Sequence, residues 1–158
     1  KRVELSLLQH FGCVFLQLRQ LTACNSSYSD KTYYLVKERR NWTDAKSHCE
    51  QNYTGLTLVH IVNSTVQEFV TQMLQGKIYP NGVWIGLERN MLFPCASWMW
   101  TGGPYVNYSE WNSSFPVDPT SQYCGKLVGN GSKWLDSYCS EELPFICQVS
   151  LSLNTTSV

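Results

Sequence analysis

The spacing of apolar residues changes twice along this chain. The run "TYYLV" at 32–36 is β-branched or aromatic almost throughout, which predicts a strand. In "NWTDAKSHCEQN" the interval lengthens. Trp42, Ala45 and Cys49 recur at helical spacing, so one helix face meets the core. "STVQEFVTQML" repeats that period, with Val66, Phe69, Val70 and Met73 as the inward stripe. Ser64–Gln67 and Thr65–Glu68 both have capping-box spacing, so Ser64 or Thr65 is the expected helix cap. From Val83 the pattern shortens to strands: "VWIGLE", "SWMW", "CGKLV", "KWLD" and "FICQV". Between the second and third of these lies "TGGPYVNYSEWNSSFPVDPTSQY", irregular and rich in Gly, Pro, Ser and Asn. A compact domain seldom carries so long a connection unless it has a task.

Composition sharpens this picture. The 158 residues fit one domain with a substantial core. Charged residues make up only 15%, and the net formal charge is zero, so nothing favours nucleic acid or an acidic membrane surface. Such a surface needs another source of solubility, and the asparagines offer one. Acceptor triplets Asn-X-Ser/Thr occur at Asn25, Asn41, Asn52, Asn63, Asn107, Asn112, Asn130 and Asn154, where chance would give roughly two. Seven cysteines, at 13, 24, 49, 95, 124, 139 and 147, show no zinc spacing, and a disulfide framework is the better reading. Together these place the chain outside the cell, secreted or as the ectodomain of a receptor. Residues 1–30 read as a signal-like or extension segment, and 150–158 as a polar stub carrying its own sequon. No run reaches the roughly 20 apolar residues of a membrane-spanning helix.

Six motifs in order, "RNWTDAKSHCE", "VWIGLE", "SWMWTGG", "WNSSFPV", "KWLDSYC" and "LPFICQ", resemble a C-type lectin-like domain over residues 31–149. The wording is similar to vertebrate lectin-like receptor modules and secreted lectins. The resemblance implies an α+β loop-in-loop fold with two helices, two small antiparallel sheets and a long loop. It also implies the disulfides Cys49–Cys147 and Cys124–Cys139. Cys13, Cys24 and Cys95 then remain. Cys13 with Cys24 has about the separation of the N-terminal pair in the family's long forms, but Cys24 lies nine residues before the Tyr33–Tyr34 strand. The preferred reading is Cys24 with Cys95, or Cys95 bridging two chains in a dimer, which could equally be non-covalent.

Sugar-binding members of that family hold calcium at the long loop, and their "WNSGEPN" aligns without a gap on "WNSSFPV". Phe115 and Val117 therefore stand at ligand positions. Gln122 replaces a glutamate two residues before Cys124, Leu135 replaces an asparagine, and only Asp136 keeps its identity. Calcium takes six to eight oxygens, and three of these five side chains are hydrocarbon. No calcium and no other cofactor is expected, although Asp118 could shift inward as a substitute. Without a metal to favour it, the cis form of Phe115–Pro116 has less to offset its cost, and trans is expected.

The loop becomes apolar where a cage would be polar. Tyr105, Tyr108, Phe115, Val117 and Tyr123 are the candidate ligand contacts, an aromatic patch suited to a protein partner. Trp111 reads as core, and Phe115 either joins it or faces out. The rival reading is a lectin that binds glycan through a rebuilt or metal-free site. An enzyme is not indicated: His10, His48 and His60 are isolated, and no nucleophile elbow, phosphate loop or zinc motif is present.

Overall fold

The computed structural model describes residues 31–52, 56–91 and 97–150. The order is β1 (Lys31–Arg40), α1 (Trp42–Asn52), β2 (Leu56–Leu58), α2 (Ser64–Leu74), β3 (Val83–Asn90), β4 (Ser97–Trp100), β5 (Cys124–Val128), β6 (Lys133–Ser137) and β7 (Leu143–Ser150). β1 and β7 pair antiparallel, so the two ends of the domain close on each other, and β2 adds to β7. β3, β4, β5 and β6 form a second antiparallel group. Both antiparallel groups expected from the resemblance are thus present. A parallel pairing of Trp84 with Phe145 joins them into one mixed sheet.

α1 forms where the period predicts it. Trp42, Ala45 and Cys49 are all buried, and the Trp42 indole N–H donates to the Ile85 carbonyl at 2.9 Å. Asn41 caps this helix: its Oδ1 accepts from the Asp44 amide at 2.9 Å while its Nδ2 donates to the Asp44 carboxylate at 2.8 Å.

α2 departs from expectation in two respects. Its cap is Asn63, whose side chain accepts from the Val66 amide at 3.0 Å, rather than Ser64 or Thr65. The supposed box partner, Gln67, has turned inward instead. Its Oε1 accepts from the Trp134 indole at 2.7 Å, and its Nε2 donates to the Gly131 carbonyl at 2.6 Å. That engagement also turns the buried stripe to Val66, Gln67, Val70 and Leu74, leaving Phe69 and Met73 half-buried. Phe69 packs instead on Tyr33, ring centres 5.0 Å apart.

Two disulfides staple the frame. Cys49–Cys147 ties α1 to β7, and Cys124–Cys139 ties β5 to the segment after β6. Chain separations of 98 and 15 residues correspond to about 3 to 5 kcal/mol each in the chain-entropy picture. The glycine of "VWIGLE" is required by close approach. A Cβ on Gly86 would stand 2.6 Å from Thr101 Oγ1 and 2.9 Å from the Leu58 carbonyl oxygen. Cys13, Cys24, Cys95, Asn25 and Asn154 lie outside the described residues, and with them the pairing of Cys24 with Cys95. Among the described residues no helix is long and apolar enough to cross a membrane.

Candidate functional site

The loop between β4 and β5 folds back onto the sheet. Tyr105 bridges to Met99, and the Val106 amide reaches the Trp98 carbonyl, so the outgoing arm lies along β4. Further on, Trp111 bridges to Trp134. There the Asn112 amide donates to the Trp134 carbonyl and the Trp134 amide to the Glu110 carbonyl, each at 2.8 Å. β4 and β6 thus hold both ends of a segment whose composition alone predicts only irregular chain.

Trp134, fully buried, is the hub. Trp100, Trp111 and Tyr108 meet it edge-on at 5.3, 5.6 and 5.9 Å. An Asx turn follows, in which Asn112 Oδ1 accepts from the Ser114 amide and the Phe115 amide donates to the Asn112 carbonyl. That turn carries Phe115 back over Trp111, and the rings stack at 3.7 Å with 13° between planes. Trp98 stands 5.2 Å from Trp111 and 6.1 Å from Phe115, completing a three-ring ledge. Trp111 and Phe115 are both half-buried; Val117 and Tyr105 are each 49% exposed.

The five candidate contacts do not converge on one point. Phe115 and Val117 belong to the ledge and the turn after it, and Tyr105 lies against β4. Tyr123 is half-buried with its hydroxyl on the Thr120 carbonyl. Tyr108 turns toward α2, its hydroxyl donating to Glu110 at 3.1 Å. Burial first, then the hydrogen bond to Glu110 and the nearby charges of Glu110 and Glu68, push the Tyr108 phenol up to about 12. The Lys133 ammonium beside Glu110, with the Tyr108 hydroxyl, holds that carboxyl below its ordinary range.

Asp136 is only 2% exposed, and its carboxylate is already engaged. The Val117 amide reaches both its oxygens, at 2.8 and 3.0 Å, and the Asp118 amide reaches one at 3.1 Å. Asp118 does not move in as a substitute ligand. Its own oxygens accept from the Ser121 hydroxyl and from the Thr120 hydroxyl and amide, which bring its carboxyl down to about 2. Gln122 is buried, and its Oε1 has no hydrogen-bond partner. Leu135 is half-buried hydrocarbon. This donor set does not fit a calcium ion. One amide oxygen is at hand, one carboxylate is spent on backbone N–H groups, and a second is spent on hydroxyls. Among the described residues no three His, Cys, Asp or Glu side chains are grouped to hold a metal.

The Phe115–Pro116 bond is cis, where trans was expected. The expectation took a metal as what offsets the cost of the cis form. Just after that bond, the amides of Val117 and Asp118 are bound to Asp136.

Of the described acceptor asparagines, Asn63, Asn107 and Asn130 are exposed, Asn41 and Asn112 are half-buried, and Asn52 closes α1. His48 lies edge-on to Phe145, and its neighbour Cys49 is held in a disulfide, so the pair offers no thiolate nucleophile. Sequence reasoning missed Gln67 and Glu110. Gln67 was legible only as a cap partner, and Glu110 gave no signal apart from its place in the loop.

Comparison with known proteins accords with this geometry. The family model of the lectin C-type domain matches residues 38–149. One subunit of the snaclec agkisacutacin from Deinagkistrodon acutus is 34% identical over 143 residues, covering 85% of this chain and 91% of its own length. One subunit of the snaclec coagulation factor IX/factor X-binding protein from Gloydius halys is 30% identical over 128 residues, covering 78% and 80%. The mouse scavenger receptor C-type lectin carbohydrate-recognition domain superposes with a TM-score of 0.67 at 29% identity, covering 79% of this chain and 92% of its own.

Proposed function

The chain belongs to the lectin C-type domain family, and from that premise we propose that it is an extracellular recognition module that binds a protein ligand through its long-loop face without calcium. The observation that carries this reading is the clamp on Asp136. The one carboxylate kept from the family's metal set is bound to the amides of Val117 and Asp118, and the neighbouring seats hold Phe115, Val117 and Leu135. An ion arriving there would have to displace the amides of Val117 and Asp118 from the carboxylate and would gain few oxygens.

What remains is an apolar ledge with a rigid floor. Phe115 is fixed by its stack on Trp111, and exposed Val117 follows it. Preorganised aromatic anchors with little rotamer freedom to lose suit protein recognition. A relative named for binding coagulation factors IX and X supports a protein ligand, though not that ligand for this chain. Relatives named as subunits support assembly into a dimer, disulfide-linked or non-covalent. Two disulfides and the many sequons support an extracellular setting.

A second reading rests on Gln122. Its Oε1 stands where the family supplies an oxygen and is buried without a partner, so a side-chain turn that brings it to the surface would let it accept from a sugar hydroxyl at a rebuilt or metal-free site.

Thermal unfolding with calcium and with chelator separates these readings. Binding to the native state must raise the melting temperature. Equal melting temperatures in millimolar calcium and in chelator are expected. A calcium-induced rise that chelator abolishes defeats the proposal, and chelator-insensitive binding to a glycan array would favour the second reading.

A further inference from the structure

Between α2 and the loop segment at Tyr108–Glu110 runs a groove of about 420 Å³. That is within the roughly 300–1,000 Å³ range of ligand clefts; every lining residue carries a polar group, while most of the surface they present is carbon. Ser64, Gln67, Thr71, Tyr108, Glu110 and Lys133 supply hydroxyls, an amide and one ion pair. The pair is closed on itself: the Lys133 ammonium lies 2.6 Å from Glu110, and the Tyr108 hydroxyl completes the other side of that carboxylate. The phenol stays protonated at neutral pH. Glu68 also borders the groove and is exposed. Lys133, the one cation of the lining, is already countered by Glu110, so an anion finds no spare charge there, and the groove presents hydroxyl lone pairs set in a largely carbon surface. A neutral sugar chain, with hydroxyls and C–H faces, matches that surface.

Such a chain has an attachment point beside the groove. Asn63 is exposed and is the acceptor of the triplet Asn63-Ser64-Thr65. As the cap of α2 it gives Oδ1 to the Val66 amide, which fixes its side chain and leaves Nδ2, the atom that carries a glycan, outside the cap bond. Ser64, the next residue, lines the groove, and Asn63, Gln67 and Thr71 follow one another at four-residue steps along the same side of the helix. The far end is framed by a second acceptor triplet, Asn130-Gly131-Ser132, to whose Gly131 carbonyl both Gln67 and Thr71 are hydrogen-bonded.

We propose that this groove seats the first sugars of an N-linked glycan carried on Asn63, so that the glycan packs as part of the folded domain. Tethering favours the chain's own glycan over a free one. The seat is filled at an effective concentration in the millimolar range for a short linker, with no separate binding event. The docking proposed at Phe115 and Val117 is a separate matter, and either can fail alone.

The test uses the protein secreted from a glycosylating host. Thr65→Ala removes the acceptor triplet while keeping Asn63 as the cap, and Thr65 is exposed. Peptide mapping reads occupancy at Asn63, and an amine-reactive reagent reads the accessibility of Lys133 against exposed Lys37 in the same sample. Lys133 is expected to react several-fold more slowly in the parent protein than in Thr65→Ala, with Lys37 unchanged. Native stripping of the parent with an amidase gives the same comparison without a substitution; it leaves an aspartate at 63, itself a good cap. Equal Lys133 rates in glycosylated and stripped protein, or an unmodified Asn63, overturns the proposal. So does protection of Lys133 in Thr65→Ala by micromolar free glycan of the same composition, since the groove would then serve an external glycan.

Discussion

The backbone amide of Val117 donates to both carboxylate oxygens of Asp136, at 2.8 and 3.0 Å, across 19 residues of chain. This bond ties the far arm of the long loop to β6, next to the Trp134 hub of the aromatic cluster. Loop and strand are thereby held together by a side chain and backbone, where the family's sugar-binding members use an ion.

Removal of that carboxylate should therefore loosen the loop. Asp136→Ala leaves the amides of Val117 and Asp118 without their acceptor and should cost about 2–4 kcal/mol, since hydrogen bonds to a charged, buried group are among the stronger ones. Chemical denaturation measures the loss. Tryptophan fluorescence should change with it, because Phe115 stacks on Trp111 just before the clamp. Asp136→Asn keeps one acceptor but turns N–H groups toward the amides, so its effect should be intermediate. A calcium-induced gain in the parent's stability that Asp136→Ala abolishes would mean that the loop binds metal after all.

Asp118 holds the turn after the clamp, and its contribution depends on pH. Its carboxyl is lowered to about 2 from an ordinary 3.8, chiefly by the Ser121 hydroxyl and then by Thr120. A group depressed in the folded state stabilises it above the unfolded value, and the gain fades as pH falls from about 4 toward 2. Carboxylate NMR titration should find this midpoint near 2. Ser121→Ala should move it upward, toward the ordinary value. An unchanged midpoint would show that the hydroxyl does not hold the charge.

These contacts also show what could be read in advance. The strand "KWLD" and the helix face Trp42, Ala45 and Cys49 were legible because burial repeats at a fixed period. β2 was not, since three residues, Leu56–Leu58, carry too few alternations to register. The cap of α2 was misplaced by one or two residues because Asn63, Ser64 and Thr65 are all competent caps and the choice depends on where Gln67 points. At the site, the residue types told that Phe115, Val117 and Leu135 offer no oxygen. They did not tell what Asp136 would bind instead, because its partners are backbone amides, and those carry no sequence signature.

Gln67 offers the sharpest separation of hydrogen bonding from packing. It is buried; it accepts from the Trp134 indole and donates to the Gly131 carbonyl and to Thr71 Oγ1. The Gly131 carbonyl keeps a second donor in Thr71, so the group orphaned by Gln67→Leu is the Trp134 N–H, at a cost of about 1–3 kcal/mol. Gln67→Glu preserves an acceptor for that indole, yet places a carboxylate against the Gly131 carbonyl in a buried site. Burial and that carbonyl both favour the protonated form, so the folded-state pKa of the new carboxyl is raised. Its penalty should then be smallest at acidic pH and grow as pH rises through that value. Denaturant midpoints of the two variants across pH check this. If Gln67→Leu and Gln67→Glu lose the same stability at every pH, the side chain serves only to fill space, and Trp134 is held by its ring contacts alone.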